Sequence, residues 1–479
     1  MPETTAIAPE GVDYGRKWFV LVAIAMAIFL GTIDGSIVNV ALPTLVEEFD
    51  TTFNVAQWVV LAYLLTQATL TLSFGRLGDM IGKKPIFTTG FMVFTIGSVL
   101  AGFSPTVGIL IGARVVQALG AAMIFALGFA ITTEAFPPSE RGKALGINGT
   151  TVSLGIMAGP IIGGMILEAT DWRWIFFVNL PIGIVGTITA IKFVPNTRPR
   201  GKQRFDFIGA AVFFVALLSL LLALTMGQNL GFSDPMILAA FAVSAVSFVT
   251  FVVIEHRVSE PMLNLNLFKS RDLTVNLITG FVGFFALSGL LLLVPFYLTD
   301  VLGLSPSEIG FVLGAVPITM GIVAPMSGSL SDRVGSRPVT VAGLALMTVA
   351  YTIAAFWFEG SSTAALVVIV GLIIGLGMGI FQSPNNSAIL GSVPPEQLGV
   401  TSGMLTINRT TASVTGIAVL GAIWAARTGV YGGVGDAADA PAAAQAAGLA
   451  DTMTVAAVLV GLALALGLWA WRSPGRSQV

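Results

Sequence analysis

Long, almost uninterrupted apolar runs recur along the whole chain, and no other feature restricts its fold so severely. Fourteen can be read, at about 18–42, 54–74, 86–104, 107–132, 144–168, 173–194, 207–226, 236–256, 272–298, 308–331, 339–358, 363–390, 400–424 and 452–471. A bilayer core of about 30 Å needs roughly 20 apolar helical residues, so each run is long enough to cross it. Inside lipid the backbone must satisfy its own hydrogen bonds, which makes each run a helix. Composition agrees. Charged residues make up 10% of the chain and hydrophobic ones 55%, whereas a soluble domain carries about 25% charged residues. The expectation is an all-α integral membrane protein with no separate soluble domain.

Lys and Arg orient it. With the N-terminus inside, the inner segments hold Arg16, Lys17, Arg76, Lys83, Lys84, Arg141, Lys143, Lys192, Arg198, Arg200, Lys202, Arg204, Arg257, Lys269, Arg271, Arg333, Arg337, Arg472 and Arg476. Only Arg173 and Arg427 fall outside, which places both termini in the cytoplasm. An even number of spans agrees. The first run is too long for a signal peptide, and no small-residue cleavage site follows it. The outer stretch 425–451, rich in Ala and Gly, reads as a mobile connector with at most one helical turn.

An internal repeat counts the helices. "GRLGDMIGKKP" at 75–85 returns as "GSLSDRVGSRP" at 328–338, 253 residues later. Six spans with short loops account for roughly 200 residues; the excess fits two inserted spans. The expected domains are a tail 1–17, a six-helix bundle 18–194, a linker 195–271 carrying spans 207–226 and 236–256, a second bundle 272–471 and a tail 472–479. Bundles related in this way place their substrate site where the halves meet, near the bilayer midplane.

The paired loops resemble the signature of the major facilitator superfamily, and fourteen spans resemble its drug:proton antiporter branch. "LIGARVVQALGAAM" (110–123) and "GIMAGPIIGG" (155–164) resemble that branch's motifs on spans 4 and 5. "DWRWIFFVNLPIG" (171–183) and "GIFQSPNNSAILGSVP" (379–394) are also similar to it. The resemblance covers nearly the whole chain. It implies alternating access, with loop residues Gly75, Arg76, Asp79, Gly82, Lys83, Asp332, Arg333 and Arg337 in gating. It also implies that the span-5 motif seals an exporter against proton leak.

The residues themselves carry chemistry. Gly75, Gly78 and Gly82 permit a tight turn and close helix approach. Asp79 can accept from a helix N-terminus, or from Arg76 and Lys83, as a latch; the alternative is a solvated turn. Gly155, Gly159 and Gly163 recur every fourth residue and make one smooth face, with Gly164 beside it, for a neighbouring backbone. Pro160 removes a helix hydrogen bond and favours a bend.

Asp34 and Arg114 each lie seven to eight residues from the outer end of their spans, roughly 11–12 Å deep at 1.5 Å per residue. Matched depth permits pairing, and a central charge costs about 2.5–3.5 kcal/mol unless paired or wet. Such a pair is either a structural salt bridge or a proton-coupling site, at which Arg114 keeps Asp34 ionised until a proton or a cationic substrate competes. Arg409, the other charge within a span, binds an anionic group, pairs with Glu or backbone, or snorkels. Gln57, Tyr63 and Gln67 on span 2, and Phe381, Gln382, Asn385 and Asn386 on span 12, are candidate substrate ligands with Asp34 and Arg409. Aromatic and amide groups around a carboxylate suit bulky amphipathic cations. Glu134 and Glu255 are read as solvated span ends, and the lone His256 as interfacial.

The absence of Cys excludes disulfides, thiol catalysis and cysteine metal sites. No metal cluster, nucleophile triad or phosphate loop is found, so neither an enzyme nor a cofactor beyond H⁺ is expected. The expectation is a monomeric, multi-pass protein of the bacterial cytoplasmic membrane, a proton-coupled antiporter exporting hydrophobic or cationic drugs. Its partners are amphipathic substrates, protons and lipids, not nucleic acid. Export of an endogenous metabolite, lipid or siderophore is the alternative, followed by proton-coupled uptake.

Overall fold

The computed structural model describes residues 13–51, 53–196, 205–258, 261–304, 306–358, 363–433 and 440–472. Arg198, Arg200, Lys202, Arg204 and Arg476, used above for orientation, lie outside these residues. So does most of each terminal tail. Among the described residues there is no strand, and fourteen helices are long and apolar enough to span a membrane.

They are α1 Lys17–Glu48, α2 Trp58–Ile81, α3 Lys83–Gly102, α4 Val107–Ala135, α5 Arg141–Ala169 and α6 Asn179–Phe193. The inserted pair is α7 Phe207–Leu230 and α8 Pro235–Arg257. Then follow α9 Arg271–Phe296, α10 Pro306–Val334, α11 Ser336–Trp357, α12 Ala364–Gly391, α13 Leu398–Gly432 and α14 Ala442–Arg472. Pro295 withholds a backbone donor near the end of α9, and the chain continues as a π turn, Tyr297–Val301.

The stretch 425–451 differs from expectation. α13 runs on to Gly432 and α14 begins at Ala442, so helix replaces most of the anticipated connector. Its residues 434–439 lie outside the described ones. Alanine, the best helix former, outweighs glycine there. Polar contacts also hold the two ends: Arg427 and Tyr431 both reach Asp451.

The chain divides into two compact units. The first draws its described residues from Met1–Ser219, Ala242–Leu265 and Val393–Ile407; the second from Leu220–Phe241, Asn266–Ser392 and Asn408–Val479. In the first, α1 packs on α4, α5 and α6, α2 on α4, and α3 on α4 and α6. In the second, α9 packs on α12 and α14, α10 on α12, and α11 on α12 and α14. At least five of the six pairings recur eight helices later, in keeping with the sequence repeat.

Glycine registers the repeat. A Cβ on Gly90 would lie 3.0 Å from the Gly120 oxygen, and one on Gly343 would lie 2.7 Å from the Gly377 oxygen. Helices α3 and α4, and likewise α11 and α12, therefore cross almost backbone to backbone. Gly82 and Gly335, equivalent in the repeat, adopt φ of 107° and 89° between successive helices, which only glycine does without strain. Outward positions such as Ile161, Met165, Val246 and Leu462 are exposed; an apolar surface this extensive faces lipid.

The glycine face of α5 meets α1. A Cβ on Gly155, Gly159 or Gly163 would strike Thr32, Ser36 or Ile37, while one on Gly164 would meet nothing within 4 Å. Gly164 therefore stands off the contact face. The Pro160 side chain lies outside the described residues. Gly155→Val and Gly159→Val are expected to cost about 1–3 kcal/mol each by overpacking, lowering the melting temperature and the monodisperse yield. Gly164→Val should match the parent in the same measurements.

Candidate functional site: a buried charge cluster and a capped helix

Within the first unit, Asp34 on α1 and Arg114 on α4 meet. Asp34 Oδ2 accepts from Arg114 Nη1 at 2.5 Å, and both side chains are fully buried. Asp34 Oδ1 accepts from Gln117 Nε2 and from Asn179 Nδ2, each at 2.8 Å. Gln117 Nε2 also reaches Ser98 Oγ at 2.6 Å, and Gln117 Oε1 accepts from Arg114 Nη1 at 2.6 Å. Arg114 Nε donates to the Val59 carbonyl at 3.0 Å. Its guanidinium lies 4.2 Å from the Tyr63 ring and 5.8 Å from the Phe176 ring. Three donors thus meet the two carboxylate oxygens. A protonated Asp34 would turn one oxygen into a donor and set it against another donor.

Sequence reasoning placed Asp34 and Arg114 at one depth but missed Gln117, Asn179 and Ser98, all fully buried. Gln117 carried a signal: three residues after Arg114 on a helix, it shares that face. Asn179 lay inside a quoted motif without being singled out. Tyr63 was expected among substrate ligands; instead it is buried against Arg114, and its hydroxyl donates to the Gly31 carbonyl at 3.4 Å. Asp34 was also expected to meet a cationic substrate. Its oxygens are engaged and its exposure is zero, so a cation has no open approach to it here. Gln57, just before α2, and Gln67 on α2 are half-buried.

Removing one partner of a buried ion pair strands the other, a loss of about 3–5 kcal/mol. Asp34→Asn and Arg114→Gln should each lower the melting temperature in detergent. The double variant should recover most of that loss without regaining activity. Additive losses would show that the pair contributes no coupling.

The loop between α2 and α3 forms a second polar centre. Asp79 is 5% exposed. Its Oδ1 accepts from the Gly399 N–H at 2.9 Å and its Oδ2 from the Val400 N–H at 2.8 Å. These are two of the unpaired donors at the start of α13, so Asp79 caps a helix more than 300 residues away. Gly75 permits the approach, since a Cβ there would lie 2.5 Å from the Gly399 oxygen. Lys83 Nζ bridges Asp79 at 3.1 Å and Glu134 at 2.7 Å.

Several expectations shift here. Glu134 is a partner of Lys83 rather than a solvated span end. Arg76 does not donate to Asp79, and its Nε has no hydrogen bond. Glu255 is 4% exposed; its Oε2 accepts from the Leu263 N–H at 3.1 Å, so it too is not solvated. His256 is exposed, its Nδ1 2.8 Å from the Val252 oxygen, as an interfacial residue would be. In the repeated loop of the second unit, Arg337 Nη2 donates to both carboxylate oxygens of Asp272, each at 2.9 Å. Asp332 is half-buried and Arg333 exposed.

The chain contains no Cys, so one introduced thiol reports on this cap. In a Ser402→Cys background, at a position fully buried beside the cap, maleimide labelling should be slow. Asp79→Ala should speed it by about three- to thirty-fold, matching the roughly 0.5–2 kcal/mol worth of a helix cap. An unchanged rate would show that the cap does not hold α13.

In the second unit, Phe381, Gln382, Asn385 and Asn386 on α12 are all buried, between 1% and 8% exposed. Phe381 packs against Gly343 and Gly283 as a core residue. Arg409 is half-buried on α13, 5.8 Å from the Phe284 ring, with no carboxylate partner among the described residues.

Known proteins supply the remaining findings. The chain matches the model of the Major Facilitator Superfamily over residues 24–415 and 276–478. It is 37% identical over 415 residues to the riboflavin transporter RibZ of Clostridioides difficile, covering 86% of this chain and 89% of that one. It is 33% identical to the multidrug resistance protein Stp of Mycobacterium tuberculosis over 85% of this chain and 75% of that one. Among solved structures, the human organic anion transporter MFSD10 (TETRAN) superposes with a TM-score of 0.66 at 15% identity. That match covers 93% of this chain and 99% of the other, and shows a shared fold.

Proposed function

We propose that this chain, which belongs to the major facilitator superfamily and is a multi-pass transporter of the cell membrane, exports amphipathic organic compounds in exchange for protons. The observation that carries this reading is Asp34, a fully buried carboxylate with three donors on its two oxygens. Protonating it breaks the contact with Arg114 and frees a guanidinium inside the membrane. A structure that can hold the pair, and another that can hold the protonated acid apart from Arg114, are the two states a proton can bias. One charge moving inward through 100 mV releases about 2.3 kcal/mol, enough to shift such an equilibrium substantially.

In this reading the termini are cytoplasmic, access alternates between the two sides of the membrane, and Asp79 latches the start of α13 in one state. The glycine face of α5 holds α1 tightly, closing the route for water around Asp34. Drug cargo is supported by relatives named multidrug resistance or multidrug transporter proteins. A second cargo, a flavin-like metabolite, is supported by the relative named a riboflavin transporter.

The test uses inverted membrane vesicles with an imposed pH gradient. Ethidium and riboflavin should be compared as cargo. An internally acid lumen should drive accumulation of the true cargo, and Asp34→Asn should abolish it while the protein remains inserted. Accumulation of riboflavin alone would select the metabolite reading. Transport indifferent to the pH gradient, or intact in Asp34→Asn, would refute proton coupling through this site.

A further inference from the structure

Of the charges well inside the helices, Asp34 and Arg114 neutralise each other. Arg409 has no such counterpart among the described residues; the group beside it is the Phe284 ring of α9. One turn earlier on α9 is Gly280. A Cβ there would lie 3.2 Å from Asn385 Nδ2 and 3.5 Å from Asn408 Nδ2, so two carboxamides converge where glycine leaves room. Asn408 Nδ2 donates to the Leu277 carbonyl at 3.0 Å, fixing that amide to α9. Asn385 and Gln382 are 3% and 4% exposed, yet Asn385 Oδ1 and Gln382 Oε1 accept no hydrogen bond among the described residues. Thr411 Oγ1, on α13, is likewise buried without a partner among the described residues.

Unsatisfied buried polar atoms cost about 1–3 kcal/mol each, and an unpaired intramembrane cation costs more. Such an arrangement persists when a ligand completes it. A guanidinium fork supplies donors to an anionic or strongly accepting group. The free amide oxygens supply acceptors for N–H or O–H donors. The Phe284 ring supplies an apolar face.

We propose that α9, α12 and α13 of the second unit form a substrate subsite around Arg409, Phe284, Gln382 and Asn385. It takes planar organic compounds bearing an anionic or enolate-like oxygen beside N–H or O–H donors. This narrows the export reading above and rests on it: the preferred cargo is an anion or polar heterocycle, not the cationic drug that an intramembrane carboxylate first suggests. Proton exchange stays with Asp34; recognition lies with Arg409.

Equilibrium binding to purified protein in detergent tests the subsite independently of transport. Fluorescein and rhodamine 123 share a xanthene ring and differ in the sign of their charge, so fluorescence anisotropy should be read for both. Fluorescein should bind more tightly. Arg409→Gln should weaken fluorescein by at least about tenfold, the scale of a lost hydrogen bond to a charged group. Arg409→Lys, which keeps the charge but not the fork, should lose less, and it keeps the test open should Arg409→Gln fail to fold. Gly164→Val, where an added Cβ meets nothing within 4 Å, should bind fluorescein like the parent. Preference for rhodamine 123, binding of neither dye, or fluorescein affinity equal in the parent and both Arg409 variants would overturn the subsite. Failure of pH-driven transport with fluorescein binding still dependent on Arg409 would instead overturn the antiport reading and leave the subsite standing.

Discussion

A carboxylate fully removed from water inside an apolar bundle must be neutralised, and the first unit is organised around that requirement. Asp34 draws three donors from two helices: Arg114 and Gln117 from α4 and Asn179 from α6. Ser98 on α3 ties Gln117 and Asn179 together from behind. Tyr63 on α2 closes over the guanidinium. On the other side of α1, the α5 glycines approach so closely that Thr32 and Ser36 lie where a side chain would be. Six helices are thus positioned by contacts that begin on the turns around one acidic residue. The low dielectric that makes an uncompensated charge costly also strengthens each of these bonds.

The two units solve the charge problem differently. They repeat the same helix pairings and the same close glycine crossings, so the backbone framework is shared. The first unit pairs its buried charges with each other, although Arg114 Nη2 and Asn179 Oδ1 have no hydrogen bond among the described residues. Among the described residues, the second leaves Arg409 without an acidic partner and leaves amide oxygens of Gln382 and Asn385 without donors. One framework therefore holds a buried ion pair in one copy and, among the described residues, a cation without a carboxylate partner in the other. That asymmetry fits a division between a site that exchanges protons and a site that recognises cargo.

Local features announce some of this and conceal the rest. Gly82 and Gly335 reveal themselves because a turn between two helices needs positive φ, a demand met within a few residues. The depth of Asp34 and Arg114 follows from counting residues to a span end. Tyr63 could not be told from a cargo ligand, because an aromatic residue on an apolar helix reads the same whether it faces a cavity or a neighbouring cation. Glu134 and Glu255 sat near span ends and read as solvated, since the sequence does not show Lys83 reaching across to one or the Leu263 N–H to the other. The Ala-rich stretch before α14 read as a connector because its helix is held by contacts such as Arg427 to Asp451 across the turn.

By itself the sequence determined the number of spans, their internal repeat, the chain's place in lipid and the depth of each intramembrane charge. Those properties follow from length, apolar content and spacing along one chain. The tertiary structure alone decided that Gln117, Asn179 and Ser98 join the Asp34 cluster, that Asp79 caps α13 rather than facing water, and that Arg409 meets no acid among the described residues. The reason is physical. Lipid accepts any apolar face of a helix, so helices this apolar on all sides carry little periodicity to say which face turns inward. Only packing fixes their rotation, and rotation chooses the partners.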